Sequence, residues 1–290
     1  MTTTAPTTGK PAAGTLKVPG ATLRYETRGS GPVLLLIPGG AGDAGVFEGM
    51  ADLLAAAGHT VVSYDPRGLS RSPLDGPPAD QLVREWSEDA ARLLDHLAPD
   101  EEAYVFGSSS GAIVALDLLA RHPERLRRVV AHEPPLLALL AEPAPHRELF
   151  AEVRELSRTA GTGPAMARFA EGLGGGGAEQ GDGARHDPAE LPPSIREMAG
   201  RMAANTPFFL ERVLCPFSSA EPEVEGLKAA AGRLVLGVGE ESAGQEALVG
   251  PARRLAELTG ARGVEFPGGH IGCVERPAEF AEVLVTALRR

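Results

Sequence analysis

A chain of 290 residues with 43% hydrophobic side chains carries enough apolar material for one large core, or for one core with an inserted subdomain. Its formal charge of −11 argues against nucleic acid or an anionic membrane as partner, because either phosphate-rich surface is repelled over most of the protein; the expected partner of this monomer or homodimer is a small molecule. Two distant cysteines, Cys215 and Cys273, lack metal-ligand spacing and read as packing residues in a reducing compartment, and without a secretory signal or a membrane-length apolar run the expected location is the cytoplasm.

Residues 1–14 begin rich in Thr and Pro and are expected to form a disordered tail. Thr15–Val18 and Thr22–Thr27 alternate polar and apolar residues around Pro19-Gly20, the pattern of an antiparallel hairpin of edge strands. Val33–Ile37 is continuously apolar, as a strand covered on both faces should be, and it runs into the glycine-rich loop Pro38–Asp43, whose N–H groups can point inward. A helix from about Val46 to Ala57, a strand Thr60–Tyr64 and a loop Asp65–Ser72 follow. Leu82, Trp86, Ala90, Leu93, Leu94 and Leu97 then recur at helical spacing ahead of a strand at Ala103–Phe106 and a buried helix at Ala112–Ala120. The strand Arg127–His132 ends in Glu133-Pro134-Pro135.

Between about residues 134 and 222 the pattern changes to amphipathic helical pieces (147–159, 164–172, 194–203 and 208–213) joined by Gly- and Pro-rich loops, which reads as an all-helical insertion. Within it, Gly172–Gly183 is too glycine-rich to hold a regular element and is expected to be a mobile loop. The sheet resumes with Arg233–Val238, a helix from about Gln245 to Leu258, the strand Gly263–Phe266 and a last helix from Ala278 to Arg290. Strands alternating with helices imply an α/β protein with a mainly parallel sheet.

Gly107-Ser108-Ser109-Ser110-Gly111 lies between a predicted strand and a predicted helix. Glycines two before and two after Ser109 leave room for backbone in a turn too tight for side chains, so the Ser109 hydroxyl should stand exposed at the carboxyl edge of the sheet as a nucleophile elbow. In a chain with 36 glycines the motif alone is a weak signal; the strand before it and the helix behind it give it meaning. A serine in that role needs a base, and His270, on the glycine-rich loop after the final strand, is the best-placed histidine.

With this order of elements the chain resembles the α/β-hydrolase superfamily, in its capped branch with a serine nucleophile, over nearly all of residues 15–290. The resemblance is carried by Pro38-Gly39-Gly40 where the family usually has His-Gly-x, by Asp65-Pro66-Arg67-Gly68 with Ser70 and Ser72, by the elbow, by the Pro267–His270 loop, and by the helical insertion after the sixth strand. It implies an eight-stranded, mostly parallel sheet with helices on both faces, a core of residues 15–133 and 223–290, and a helical cap of residues 134–222. It also implies Ser109 and His270 as catalytic residues, the backbone N–H groups of Gly40 and Ser110 as an oxyanion hole, and no cofactor or metal.

Two readings of the triad acid stand side by side. The family's usual place, after the seventh strand in Gly239-Glu240-Glu241-Ser242, holds Ser242, with the carboxylates of Glu241 and Glu240 one and two positions early. Other branches place the acid after the sixth strand, where this chain has Glu133, and Glu133 is the preferred reading. The implied activity is hydrolysis of a carboxylic ester, lactone or thioester; the same residues serve carbon–carbon bond hydrolysis or perhydrolysis in other members, and a ligand-binding protein with negligible turnover is the third possibility. Elsewhere, His132 reads as packing, Trp86 as a core or cap contact, and Asp65 and Arg67 as braces of their loop. Phe208, Phe209 and Phe217 fit either a pocket wall or a core.

Overall fold

The computed structural model describes residues 11–175 and 193–289. Eight strands, β1 (Ala12–Val18), β2 (Ala21–Arg28), β3 (Val33–Ile37), β4 (Thr60–Tyr64), β5 (Ala103–Ser108), β6 (Leu126–His132), β7 (Leu234–Gly239) and β8 (Arg262–Phe266), form one sheet in the order β1-β2-β4-β3-β5-β6-β7-β8. β2 pairs antiparallel with β1 and β4, and every other pairing is parallel. The helices, in chain order, are α1 (Glu48–Ala56), α2 (Val83–Leu97), α3 (Ser110–Arg121), α4 (Pro143–Ala160), α5 (Thr162–Ala170), α6 (Pro193–Phe208), α7 (Leu214–Ser218), α8 (Val224–Ala229), α9 (Glu246–Thr259), α10 (Gly272–Glu275) and α11 (Pro277–Arg289).

Continuously apolar strands are buried on both faces because successive side chains point to opposite sides of the sheet. Leu35, Ile37, Val105, Val129 and Leu236 pack with α2, α3 and α9 on one face. Leu34, Leu36, Phe106, Val130 and Val235 pack with α1 and α11 on the other. The carboxyl ends of β3, β5, β6 and β7 therefore meet along one edge, where loops can converge.

Helices α4 to α7 lie between β6 and β7 in the chain and bring no strand among the described residues. The predicted pieces 194–203 and 208–213 are one rod: α6 runs through Pro207 and passes into a wide helical turn, Phe209–Val213, before α7. Pro207 has no N–H to give to the carbonyl one turn back, and the backbone passes directly into the wide turn that follows it. Trp86 of α2 ties this rod to the core: its ring meets Phe217 edge-on at 4.9 Å and its Nε1–H donates to Gln81 Oε1 at 3.2 Å.

Several expectations change. The tail expected to reach residue 14 ends earlier: Ala12–Gly14 pair with Tyr25–Thr27, and Gly14 lies close beneath the Tyr25 ring, where a Cβ would come within 2.4 Å of the ring atoms. Only β1 is an edge strand of the predicted hairpin, since β2 is covered by β4. The first residues of the glycine tract, in Glu171–Gly175, form a wide helical turn with Gly172 packed against Leu149; the rest of that tract and residues 1–10 lie outside the described residues. The short helices α7, α8 and α10 had no sequence signal.

Candidate active site

The elbow follows from close backbone approach. A Cβ at Gly107 would lie 2.3 Å from Gly111 O, and one at Gly111 would lie 2.2 Å from Ile37 O, so neither position accepts a side chain. Between them Ser109 adopts φ +55 with ψ −122, a rare backbone conformation that costs a non-glycine residue about 1–3 kcal/mol and that the surrounding sheet and helix enforce. The result sorts three consecutive serines: Ser108 and Ser110 are buried, whereas Ser109 is partly exposed at the carboxyl end of β5.

His270, on the loop between β8 and α10, brings Nε2 to 3.0 Å from Ser109 Oγ. Its Nδ1 is 2.7 Å from Glu133 Oε2, and Glu133 Oε1 accepts the N–H of Gly239 at 2.7 Å. An ionised carboxylate only accepts, so Nδ1 must carry the proton and Nε2 is left with a lone pair facing the serine hydroxyl. Glu133 is fully buried and sits at φ +47 immediately after β6, with its own N–H on Gly237 O. Burial alone would favour its neutral form; the hydrogen bond from His270, the charges of His132 and His270 when protonated, and the Gly239 N–H together outweigh this and bring the carboxyl down to about 2. Glu240 and Glu241 are exposed, and the latter lies 3.4 Å from Arg276 Nη1. The structure thus brings Ser109, His270 and Glu133 into one hydrogen-bonded line and leaves Glu240 and Glu241 outside it.

Of the two expected oxyanion donors, the Ser110 N–H lies in the first turn of α3, where no carbonyl of the helix can accept it. The Gly40 N–H donates to Ser110 Oγ at 2.9 Å, so the side chain next to the nucleophile sits where a substrate oxygen would come. Beside these groups lies a cavity of about 360 Å³. Its walls include Phe150, Phe169, Met202, Phe209, Leu214 and Phe217, all of them from the helical insertion. The hydroxyls that reach it from that side are already used: Thr206 donates to Met202 O and Ser218 to Leu214 O. Among the described residues, no titratable side chain lines it apart from His270 and the Cys273 thiol, and burial pushes that thiol up to about 12.

The remaining candidates divide. Phe209 and Phe217 line the cavity, while Phe208 turns away to cover Gly68, where a Cβ would meet its ring at 2.4 Å. Asp65 is buried and receives the Arg71 guanidinium together with the N–H of Ala44, and Arg67 is paired through two nitrogens with buried Asp89. His132 is packed between Phe266 and Phe280, and neither ring nitrogen has a partner; burial holds its pKa down at about 4, so it stays neutral. Sequence reasoning missed Asp43, Arg201 and Asn205: from α6, Arg201 pairs with Asp43 and Asn205 bonds Ala41 and Ser70 on the loops next to Gly40, and no local pattern marks them. Among the described residues no group of three or more His, Cys, Asp or Glu is placed to hold a metal ion, and no helix is long and apolar enough to cross a membrane.

A strand–elbow–helix unit with a hydrogen-bonded Ser-His-Glu line at the carboxyl edge of a mainly parallel sheet defines a class, and residues 32–161 match the family described as alpha/beta hydrolase fold. A hydrolase of uncharacterised activity from Bacillus subtilis (strain 168), YraK, is 35% identical over 281 residues, 96% of each chain. The chain belongs to the α/β-hydrolase fold family and is a hydrolase. A zearalenone hydrolase from Bionectria ochroleuca is 34% identical over 119 residues, which cover 40% of this chain and 44% of that one. In structure, the enol-lactonase from Burkholderia xenovorans LB400 superposes with a TM-score of 0.71 at 21% identity, covering 96% of this chain and 100% of that one. A structure from Nitrososphaera gargenis, reported with work on its carboxylesterases, gives a TM-score of 0.72 at 19% identity over 95% and 98% of the two chains.

Proposed function

We propose that the protein is a cofactor-free serine hydrolase that cleaves a neutral, largely apolar carboxylic ester, lactone or thioester through an acyl-enzyme on Ser109. The observation that carries this is the Ser109–His270–Glu133 line opening directly onto the apolar cavity. His270 Nε2 takes the hydroxyl proton as Ser109 Oγ attacks the carbonyl carbon, and Glu133 holds the tautomer and balances the imidazolium that forms. The carbonyl oxygen becomes an oxyanion, which the Ser110 N–H receives, joined by the Gly40 N–H once the Ser110 hydroxyl turns aside; one such donor is worth roughly 3–4 kcal/mol in the transition state. The imidazolium then protonates the leaving oxygen or sulfur. A water deprotonated by His270 attacks the acyl-enzyme, and the acid departs with Ser109 restored.

The insertion, residues 134–222, is proposed to act as a cap that selects the substrate, since it supplies nearly half of the lining residues and four of the five phenylalanines among them. Among the described residues that wall offers no cation to an anionic group, which favours an acyl part of uncharged chains or rings. The relatives named for zearalenone hydrolysis and enol-lactone hydrolysis make lactones the first cyclic esters to try. A panel of p-nitrophenyl esters of increasing acyl length, lactones, and ester pairs with and without a terminal carboxylate tests the proposal. Turnover that depends on Ser109, rises with apolar chain length and drops for the carboxylate partner is expected. Absence of turnover on every ester, lactone and thioester by folded protein would overturn it, and turnover of a diketone alone would move the reaction to carbon–carbon cleavage.

A further inference from the structure

The Gly40 amide is held from the core and from outside it. The peptide that carries this N–H is fixed on its core side, where Gly39 O accepts the Gly42 N–H at 2.9 Å and Gly39 lies against the Ser108 carbonyl, while a Cβ at Gly40 would meet nothing within 4 Å, so the turn that follows borders open space. Its neighbours are gripped by α6 of the insertion. Asn205, only 5% exposed, donates through Nδ2 to Ala41 O and to Ser70 Oγ, both at 2.9 Å, while its Oδ1 accepts the Ser70 N–H at 2.8 Å. One turn earlier, Arg201 pairs with Asp43. Asp43 is fully buried, and its carboxylate also takes the Gly45 N–H and the Ser70 O–H, both at 2.8 Å. Ser70 itself is held at φ +48, a conformation this bonding maintains. Three remote stretches of chain thus meet in one buried network on the turn that carries Gly40.

From this convergence we infer that Asn205 and Arg201 are positioning residues for the oxyanion donor at Gly40, so that the insertion sets the catalytic geometry of the core as well as the wall of the cavity. The inference rests on Ser109 acting as the nucleophile. Deleting the Asn205 amide frees the Ala41 carbonyl, and the neighbouring N–H then samples orientations that no longer meet the oxyanion; because the donor is displaced but still present, the loss should be part of the 100- to 1,000-fold that removal of such a donor brings.

The discriminating substrate is small. The short acyl group of p-nitrophenyl acetate depends far less on the insertion's walls than the long chain of p-nitrophenyl decanoate does. Asn205→Ala, and Asn205→Asp as a same-size partner that keeps the acceptor for the Ser70 N–H, should each lower kcat by about 10- to 100-fold on both esters, with KM within about threefold. Arg201→Lys, which keeps the charge facing Asp43, should lose less than Arg201→Ala. Rates are taken well below each variant's Tm, so that fraction folded does not enter. Unchanged acetate turnover in a folded Asn205 variant, with or without a loss on decanoate, would overturn the inference and leave these residues as a clasp or a wall. Absence of Ser109-dependent turnover in the parent is a separate result, and it would refute the catalytic reading itself.

Discussion

Replacing Glu133 by glutamine keeps the shape of the buried side chain and removes its charge. In the parent, the two carboxylate oxygens accept from two different donors, His270 Nδ1–H and Gly239 N–H, each at 2.7 Å. A glutamine has one oxygen for two donors. If that oxygen stays on Gly239, the amide NH2 faces Nδ1 and drives the imidazole proton to Nε2, which can then no longer take the proton from Ser109. If it turns to His270, the NH2 faces the Gly239 N–H, and two unmatched buried donors cost about 1–3 kcal/mol. In either arrangement the imidazolium has lost its counter-charge. Together these effects amount to about 3–5 kcal/mol of transition-state stabilisation, or roughly two to four orders of magnitude in kcat, with KM little changed. Initial rates on p-nitrophenyl butyrate, with folding checked by circular dichroism, measure this directly. Glu240→Gln and Glu241→Gln should stay within about tenfold of the parent, since both side chains are exposed and away from the imidazole. A folded Glu133→Gln within tenfold of the parent, alongside a larger loss at Glu240 or Glu241, would refute the assignment of the acid.

Two further outcomes follow from the cavity and from the buried imidazole. Phe209→Ala should change the ratio of kcat/KM between short and long acyl esters by about tenfold or more, whereas Phe208→Ala, which uncovers Gly68 outside the cavity, should lower Tm and leave that ratio alone; equal effects of the two on the ratio would contradict the placement of the rings. His132 has a folded pKa lowered from 6.5 to about 4, so the unfolded chain binds a proton that the native protein refuses between those values. The associated stability is fully present above pH 6.5 and is lost as pH falls through about 4, by up to about 3 kcal/mol. His132→Leu should flatten urea-unfolding stability in that window. The loss tied to Glu133, between its ordinary 4.5 and about 2, should shrink without vanishing in the variant, because the His270 and Gly239 hydrogen bonds that lower its carboxyl remain while the neighbouring His132 charge does not; an unchanged slope between pH 6.5 and 4 would count against the buried neutral imidazole.

Much of the core is legible in the sequence because its signals are local. Continuous apolar runs mark β3 to β7, and the crowding that demands Gly107 and Gly111 marks the turn between β5 and α3. The meeting of Ser109, His270 and Glu133 is also readable, since each ends a strand or follows one and a parallel sheet brings those ends to one edge. What is not readable depends on rotation and on distance along the chain. Which of Phe208 and Phe209 faces the cavity is decided by the wide turn after Pro207, which no helical period anticipates. The bonds from Arg201 to Asp43 and from Asn205 to Ala41 and Ser70 join residues more than a hundred positions apart through single polar side chains, and such contacts leave no periodic trace. The Gly40 N–H is engaged by a hydroxyl because position 110 happens to be serine, a detail that only the packed turn reveals.

The central claim is that Ser109, flanked by two buried serines, is the residue that becomes covalently bonded during turnover. Treating the folded protein with a fluorophosphonate and mapping the adduct by intact mass and peptide sequencing tests it most directly. A single adduct on Ser109 is expected, absent from Ser109→Ala and still formed by Ser108→Ala. An adduct on Ser108 or Ser110, or no adduct on a protein that circular dichroism shows to be folded, would contradict it.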